Sequence, residues 1–97
     1  MIKWPTPYYA VIFTSVLTEN TDDYDQMAEK MMQLVHEQPG FLGVDSARDK
    51  IGITVSYWTS LEAIDRWRTN VIHQNAKNQG KAKWYRSYEL KICQVLS

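Results

Sequence analysis

The chain has 97 residues, the size of one domain, and its eleven basic and eleven acidic side chains cancel to a formal net charge of zero. A chain with balanced charges does not have the strong positive field that draws proteins to nucleic acid or anionic membranes, so neither is an expected partner. The single cysteine, Cys93, excludes an intramolecular disulfide and a cysteine-based metal motif. With no long apolar run, residues 1–97 are predicted to be one cytoplasmic domain.

The N-terminal third predicts a lead-in, a strand and a helix. Residues 1–7 carry two prolines and are expected to be extended and to lie across a neighbouring surface. The run Tyr8 to Leu17 is aromatic and β-branched in both alternating phases, which is typical of a strand buried on two sides. Capping and first-turn residues at 20–23 predict a helix that continues to Glu37 or Gln38, before Pro39 and Gly40.

The middle of the chain predicts a β-hairpin. Residues 41–48 and 51–58 have the composition of strands, and Asp49 and Lys50 between them form a tight turn. A connection this short joins antiparallel neighbours.

The stretch from Tyr57 to Ala76 joins the third strand to a second helix. Thr59 and Glu62 have the spacing of a capping box, which predicts a helix that starts at Ser60. Trp67 falls on the apolar face of this helix.

A break in the second helix is expected at Thr69 and Asn70, because both residue types favour helix ends over interiors. A second helical piece is then predicted over residues 71–79, ended by Gly80.

Residues 83–95 predict a long last strand, which completes the order βαββαβ. This order makes an α+β, ferredoxin-like domain, an antiparallel sheet with both helices on one face. Strands one and three carry large apolar residues in both phases. The uncovered face is therefore expected to pack on a second copy as a two-fold homodimer.

These elements carry residues that resemble a known family. The matching positions are Phe41-Leu42-Gly43, Tyr57-Trp58-x-Ser60-x-Glu62-Ala63-Ile64-x-x-Trp67, His73, Ala76, Gly80 and Trp84-Tyr85-x-x-Tyr88. In this spacing the chain resembles the antibiotic biosynthesis monooxygenase family of dimeric α/β-barrel proteins. The resemblance implies a homodimer whose sheets pair into a barrel, and a cofactor-independent monooxygenase that combines O2 with a small aromatic, phenolic or quinol-type molecule.

The haem-degrading branch of this family fits the sequence less well. Its members use an Asn on the first strand and a His about ten residues after the helical Trp as the iron ligand. The first strand here has no Asn, and Lys77 stands where the His would fall. Neither a cofactor nor a metal is therefore predicted.

The resemblance implies a pocket lined by Trp and polar groups. Trp67 matches the family Trp, and His73 is the candidate base that would form the electron-rich anion of the substrate, because a neutral His has a suitable pKa. These two are the predicted catalytic residues. The predicted substrate-binding residues are Phe13, Trp58, Asn70 and Arg86. Trp67 and His73 share a pocket only if the helix breaks at Thr69 and Asn70.

Structural roles are the alternative for both residues. Trp67 fits a core position, and His73 fits a helix-start residue bonded to a neighbour. A non-catalytic dimeric barrel that binds a small apolar ligand is therefore the competing function. RNA binding is excluded on the third strand, where Gly52 and Thr54 occupy positions that would need stacking aromatics.

Overall fold

The computed structural model describes residues 4–78 and 84–97, without the side chains of residues 72–78. The elements in chain order are β1 (Tyr8–Leu17), α1 (Tyr24–His36), β2 (Phe41–Arg48), β3 (Gly52–Trp58), α2 (Leu61–Asn78) and β4 (Tyr85–Val95). The predicted order βαββαβ and the α+β class are confirmed. β1 and β2 have the predicted bounds, because turn residues flank both runs.

The four strands form one antiparallel sheet in the order β2-β3-β1-β4. β1 lies in the centre of the sheet, between β3 and β4. Tyr9 pairs with Trp58, and Ser15 pairs with Gly52. Directly opposed residues share a face, so this register assigns each side chain of β1 and β3 to one side of the sheet.

Both helices pack on the face that carries Trp58, as predicted for a ferredoxin-like domain. The core joins Val35 of α1 to Trp58 of β3 and to Ala63 and Ile64 of α2. We call this side of the sheet the helix face and the other side the open face.

The helix starts differ from those predicted. The Oγ of Ser60 accepts a hydrogen bond from the Ala63 N–H at 3.1 Å, so Ser60 caps α2 in place of Thr59. The amide of Thr59 instead donates to the carbonyl of Gly40. α1 starts after Asp23, which has a φ of 65° and makes no side-chain cap.

Two bulges decide which side chains reach the helix face. The β1–β4 register shifts so that Val16 pairs with Ser87 and Leu17 with Tyr85, which leaves Arg86 as the extra residue. Tyr85 therefore lies on the same face as Tyr88. A second shift lies between Phe41 and Gly43 on β2.

The lead-in folds onto the open face of its own sheet. The Trp4 ring lies 5.4 Å from the ring of Tyr8 and 5.3 Å from that of Tyr57. Gly43 leaves room for it, since a Cβ there would be 3.2 Å from the Trp4 ring. The surface on which Trp4 of the lead-in lies is thus the sheet of its own chain.

No helix in the part of the chain that the structure describes is both long and apolar enough to cross a membrane.

Candidate functional site

The first part of the candidate site is a stacked pair of tryptophans between β3 and α2. The ring centroids of Trp58 and Trp67 are 6.2 Å apart, with 28° between the ring planes. Trp58 has no exposed surface, whereas Trp67 is half-buried. The Trp67 indole therefore has a surface that a ligand can reach, and Trp58 supports it from behind.

The Trp58 indole is fixed on all sides. Its Nε1–H donates to the Oγ of Ser56 at 2.9 Å, which satisfies a polar group that would be costly to bury unpaired. Phe41 meets its ring edge to face at 5.4 Å, and His36 in turn meets the ring of Phe41 edge to face at 5.0 Å. Since Trp58 has no exposed surface, it can take part in substrate binding only by supporting Trp67, and its predicted role as a binding residue stays a prediction.

The predicted break in α2 is wrong. α2 runs without interruption from Leu61 to Asn78, and the hydroxyl of Thr69 donates to the carbonyl of Asp65, one turn earlier. This bond lets a residue that usually favours helix ends sit inside a helix.

The continuous helix changes the relation of the two predicted catalytic residues. Positions 67 and 73 are six residues apart, which places them about 120° apart around the helix axis at roughly 100° per residue. The condition on which they would share a pocket is therefore not met. The side chain of His73 lies outside the described residues, as does Gly80, the predicted helix end.

Asn70 is the predicted binding residue that α2 brings to Trp67. It lies three residues further along, which makes the two side chains neighbours on the helix surface. Asn70 is half-buried, and Ala63 and Ile64 on the same side of the helix are buried. The amide group of Asn70 and the indole of Trp67 thus occupy consecutive turns of the sheet-facing side.

Phe13 and Arg86 lie elsewhere. Phe13 is on the helix face four residues beyond Tyr9, the partner of Trp58, a separation of about 13 Å along the strand. Its ring contacts Tyr85 at 5.5 Å and Tyr88 at 5.8 Å. Arg86 is exposed at the β4 bulge.

A polar cluster near Phe13 was not anticipated from the sequence. We define the Arg48 cluster as Ser15, Tyr24, Arg48, Gly52 and Tyr85. The guanidinium of Arg48 donates to the Oγ of Ser15 and, at 3.3 Å, to its carbonyl, and it lies 5.9 Å from the centre of the Tyr24 ring. The sequence feature that could have indicated this cluster is the predicted hairpin, because its short turn places Arg48 opposite Gly52.

Two tyrosines titrate above their ordinary range. Burial, together with Tyr24 and its hydrogen bond, raises the pKa of Tyr85 well above 10, and the nearby Arg48 charge opposes this only in part. On the open face, the Tyr57 hydroxyl donates to the Oδ2 of Asp45 at 2.8 Å, and this bond, with burial and the Asp45 charge, raises the pKa of Tyr57. Both phenols stay protonated at neutral pH.

An open hollow of about 230 Å³ lies beside the lead-in. Its lining consists of Trp4, Pro5, Pro7, Tyr8, Leu42 and Thr59. None of the predicted site residues is among them.

Comparison with known proteins places this geometry in a family. The family model described as antibiotic biosynthesis monooxygenase matches residues 7–79. A protein of Bacillus subtilis, the uncharacterized protein YqjZ, is 53% identical over 91 residues, which cover 92% of this chain and 80% of YqjZ.

Solved structures share the fold at low sequence identity. Protein SO0527 of Shewanella oneidensis has a TM-score of 0.78 at 10% identity, with 98% of each chain covered. SnoaB of Streptomyces nogalater, a cofactor-independent oxygenase, has a TM-score of 0.73 at 12% identity, with 95% of this chain and 96% of SnoaB covered. With the match over residues 7–79, the chain belongs to the antibiotic biosynthesis monooxygenase family.

Proposed function

We propose that the protein is a cofactor-independent monooxygenase that acts on a small aromatic, phenolic or quinol-type substrate, with Trp67 against the substrate ring. The observation that carries the proposal is the stack of a half-buried Trp67 on a fully buried Trp58, in a member of this family. A half-buried indole held in place by a buried ring offers a flat aromatic partner at little entropic cost. SnoaB, a cofactor-independent oxygenase, shares the fold.

The substrate can supply all the electrons for this reaction. With an anthrone, a base removes a proton from the ring methylene, and the resulting anion gives one electron to O2. The radical and superoxide then combine to form a C–O bond, and loss of water from the peroxide leaves a carbonyl. One oxygen atom ends in the product and the other in water.

The polar roles in this reaction are also proposals. Asn70, one turn from Trp67, can donate a hydrogen bond from its amide to the oxygen on which the substrate's charge develops. Phe13 and Arg86, at about 13 Å or more along the sheet from the tryptophan pair, are too far away to contact a small ring held against Trp67, so neither is included in the proposed contacts with this substrate. His73 stays the proposed base, although on the continuous α2 it lies about 120° around the helix axis from Trp67, so it would reach the substrate from outside the surface that Trp67 offers. The variant His73→Gln should lower kcat, because it removes the proton acceptor.

The proposed assembly is a homodimer through the open face. On that face Ile53 is 45% exposed, whereas Trp4 packs on the face near Tyr57. Sedimentation should give a dimer that Ile53→Glu weakens. Leu61→Glu, at a 48% exposed leucine on α2, is the matched control and should leave the dimer intact.

The test of the activity is oxygen consumption with a panel of anthrones, hydroquinones and haem, together with melting of the protein in the presence of each compound. Incorporation of one labelled atom from ¹⁸O2 into a carbonyl product supports the proposal. A melting shift without oxygen uptake favours the non-catalytic barrel that binds an apolar ligand. No uptake and no melting shift across the panel would overturn both.

A further inference from the structure

Arg48 lies flat across the sheet at the end remote from the tryptophan pair. A Cβ at Gly52 would overlap the Nη2 and Nε of Arg48, so the guanidinium occupies the space that a side chain at position 52 would fill. Both of its hydrogen bonds go to Ser15, which is 2% exposed. The position of the guanidinium is thus set by the backbone of two central strands.

Towards the residues that the structure describes, the guanidinium keeps unused donor capacity. An arginine carries five N–H donors, and two contacts are made to Ser15. No carboxylate of the described residues lies within 4.0 Å of its nitrogens, where an ion pair would form. Residue 48 is also exposed to solvent. An ordered cation with spare donors and without an anionic partner in the described part of the chain is suited to a ligand that carries negative charge.

Aromatic rings surround this cation on the helix face. The Tyr24 ring lies beneath the guanidinium, and the Tyr85 ring lies 6.0 Å from that of Tyr24. Phe13, two residues before Ser15 on the same face, contacts Tyr85 and Tyr88. Tyr88 pairs with Ser15 in the sheet and is 55% exposed. The surface next to the charge is therefore aromatic and reachable from solvent.

We propose that the Arg48 cluster, with Phe13 and Tyr88, is a binding site for a small aromatic carboxylate. The guanidinium would hold the carboxylate, and the ligand ring would lie against the aromatic side chains. This site is distinct from the tryptophan pair, because Ser15 is six residues from Tyr9, the partner of Trp58, about 20 Å along β1. It therefore does not depend on the proposed oxygenase activity.

A purely structural role for Arg48 makes different predictions. If the guanidinium only holds Ser15 at the end of the sheet, its replacement lowers stability and changes no binding. The variant Gly52→Ala distinguishes the structural role from the binding role, because it keeps the charge of Arg48 but displaces the guanidinium. Because the atoms displaced are the flexible end of a side chain, this variant should fold.

The experiment is calorimetric titration of the full chain with 2-naphthoate, with neutral 2-naphthamide as the matched probe. Wild type should bind 2-naphthoate more tightly than 2-naphthamide by about tenfold, the value of one charge-assisted hydrogen bond. Arg48→Gln and Gly52→Ala should each weaken 2-naphthoate by a similar factor and leave 2-naphthamide unchanged. Arg66→Gln, at an exposed arginine on α2, is the control and should bind as wild type does.

Three results would overturn the proposal. They are no measurable binding of 2-naphthoate to wild type, equal binding of the acid and the amide, and unchanged binding in Gly52→Ala with its guanidinium displaced. The variant Trp67→Ala supplies a fourth such result, since a change in its affinity for 2-naphthoate would place the ligand at the tryptophan pair instead. Melting of each variant confirms that the loss of binding is not a loss of fold.

Discussion

The indoles of Trp58 and Trp67 stack with their centroids 6.2 Å apart, but only Trp67 retains exposed surface. The two residues therefore divide their roles. Trp58 contributes to stability, because its ring is enclosed by Phe41 and by the buried residues Ala63 and Ile64 of α2. Trp67 offers the face on which the proposed activity depends.

Truncation of Trp58 should therefore lower the stability of the protein more than truncation of Trp67 does. Trp58→Ala should lower the free energy of unfolding by about 3–5 kcal/mol, as for other large buried aromatics. Trp67→Ala should cost about 2 kcal/mol, since its ring is only half-buried. Urea denaturation of both variants measures the difference.

With an active anthrone, the same variants test function. Trp67→Ala should lower kcat/KM about 100-fold through loss of substrate positioning. Trp67→Phe, which keeps an aromatic face, should recover most of that loss. Equal activity in wild type and Trp67→Ala would contradict the role given to this indole.

The cap of α2 gives a second prediction. Ser60→Ala should lower stability by about 1 kcal/mol, because the Ala63 N–H loses its side-chain acceptor. Thr59→Ala should cost clearly less, since the hydrogen bond at that residue comes from its backbone amide. Equal losses in the two variants would restore Thr59 as the cap.

The cap at Ser60 instead of Thr59 shows which features of the fold can be predicted from the sequence and which cannot. Strand positions were predictable because alternation and turn residues are local signals, as in β1 and β2. Adjacent hydroxyl residues such as Thr59 and Ser60 both satisfy a capping pattern, and only the path of the chain past Gly40 decides between them. The break expected at Thr69 failed for a similar reason, because its hydroxyl bonds to Asp65 within the helix.

The candidate site was less predictable than the fold. Trp67 was found from its position on an apolar helix face and from the family resemblance. The Arg48 cluster was missed because it needs the strand register, which brings Ser15 and Gly52 together, and the bulge at Arg86, which turns Tyr85 to the helix face. The bulge at Arg86 and the one between Phe41 and Gly43 cannot be recognised from the amino-acid sequence alone.

Gly40 gives a third prediction, at the turn between α1 and β2. Its φ is +85°, and a Cβ would lie 2.6 Å from the Cβ of Ala63 and 2.8 Å from the Oγ1 of Thr59. Gly40→Ala should therefore lower the free energy of unfolding by at least ~2 kcal/mol, through backbone strain and overlap. Gly43→Ala, where the nearest contact is 3.2 Å, should cost less in the same denaturation experiment. A Gly40→Ala variant as stable as wild type would contradict the close approach.

The raised pKa of Tyr85 predicts a loss of stability at alkaline pH. In the unfolded chain a tyrosine releases its proton near pH 10, whereas burial and Tyr24 make Tyr85 hold its proton to higher pH in the folded protein. The unfolded state then binds fewer protons, so the stabilisation by Tyr85 is complete below about pH 10 and declines as pH rises towards the folded pKa. Urea denaturation from pH 8 to pH 11 measures this decline.

Tyr85→Phe supplies the matched comparison, because it keeps the ring against Phe13 and removes only the titrating hydroxyl. Lysines titrate in the same range in both proteins, so the difference between the two stability curves isolates Tyr85. Above pH 10, the free energy of unfolding should fall more steeply for wild type than for the variant. Parallel curves from pH 8 to pH 11 would show that the Tyr85 phenol is not held in its neutral form by the fold.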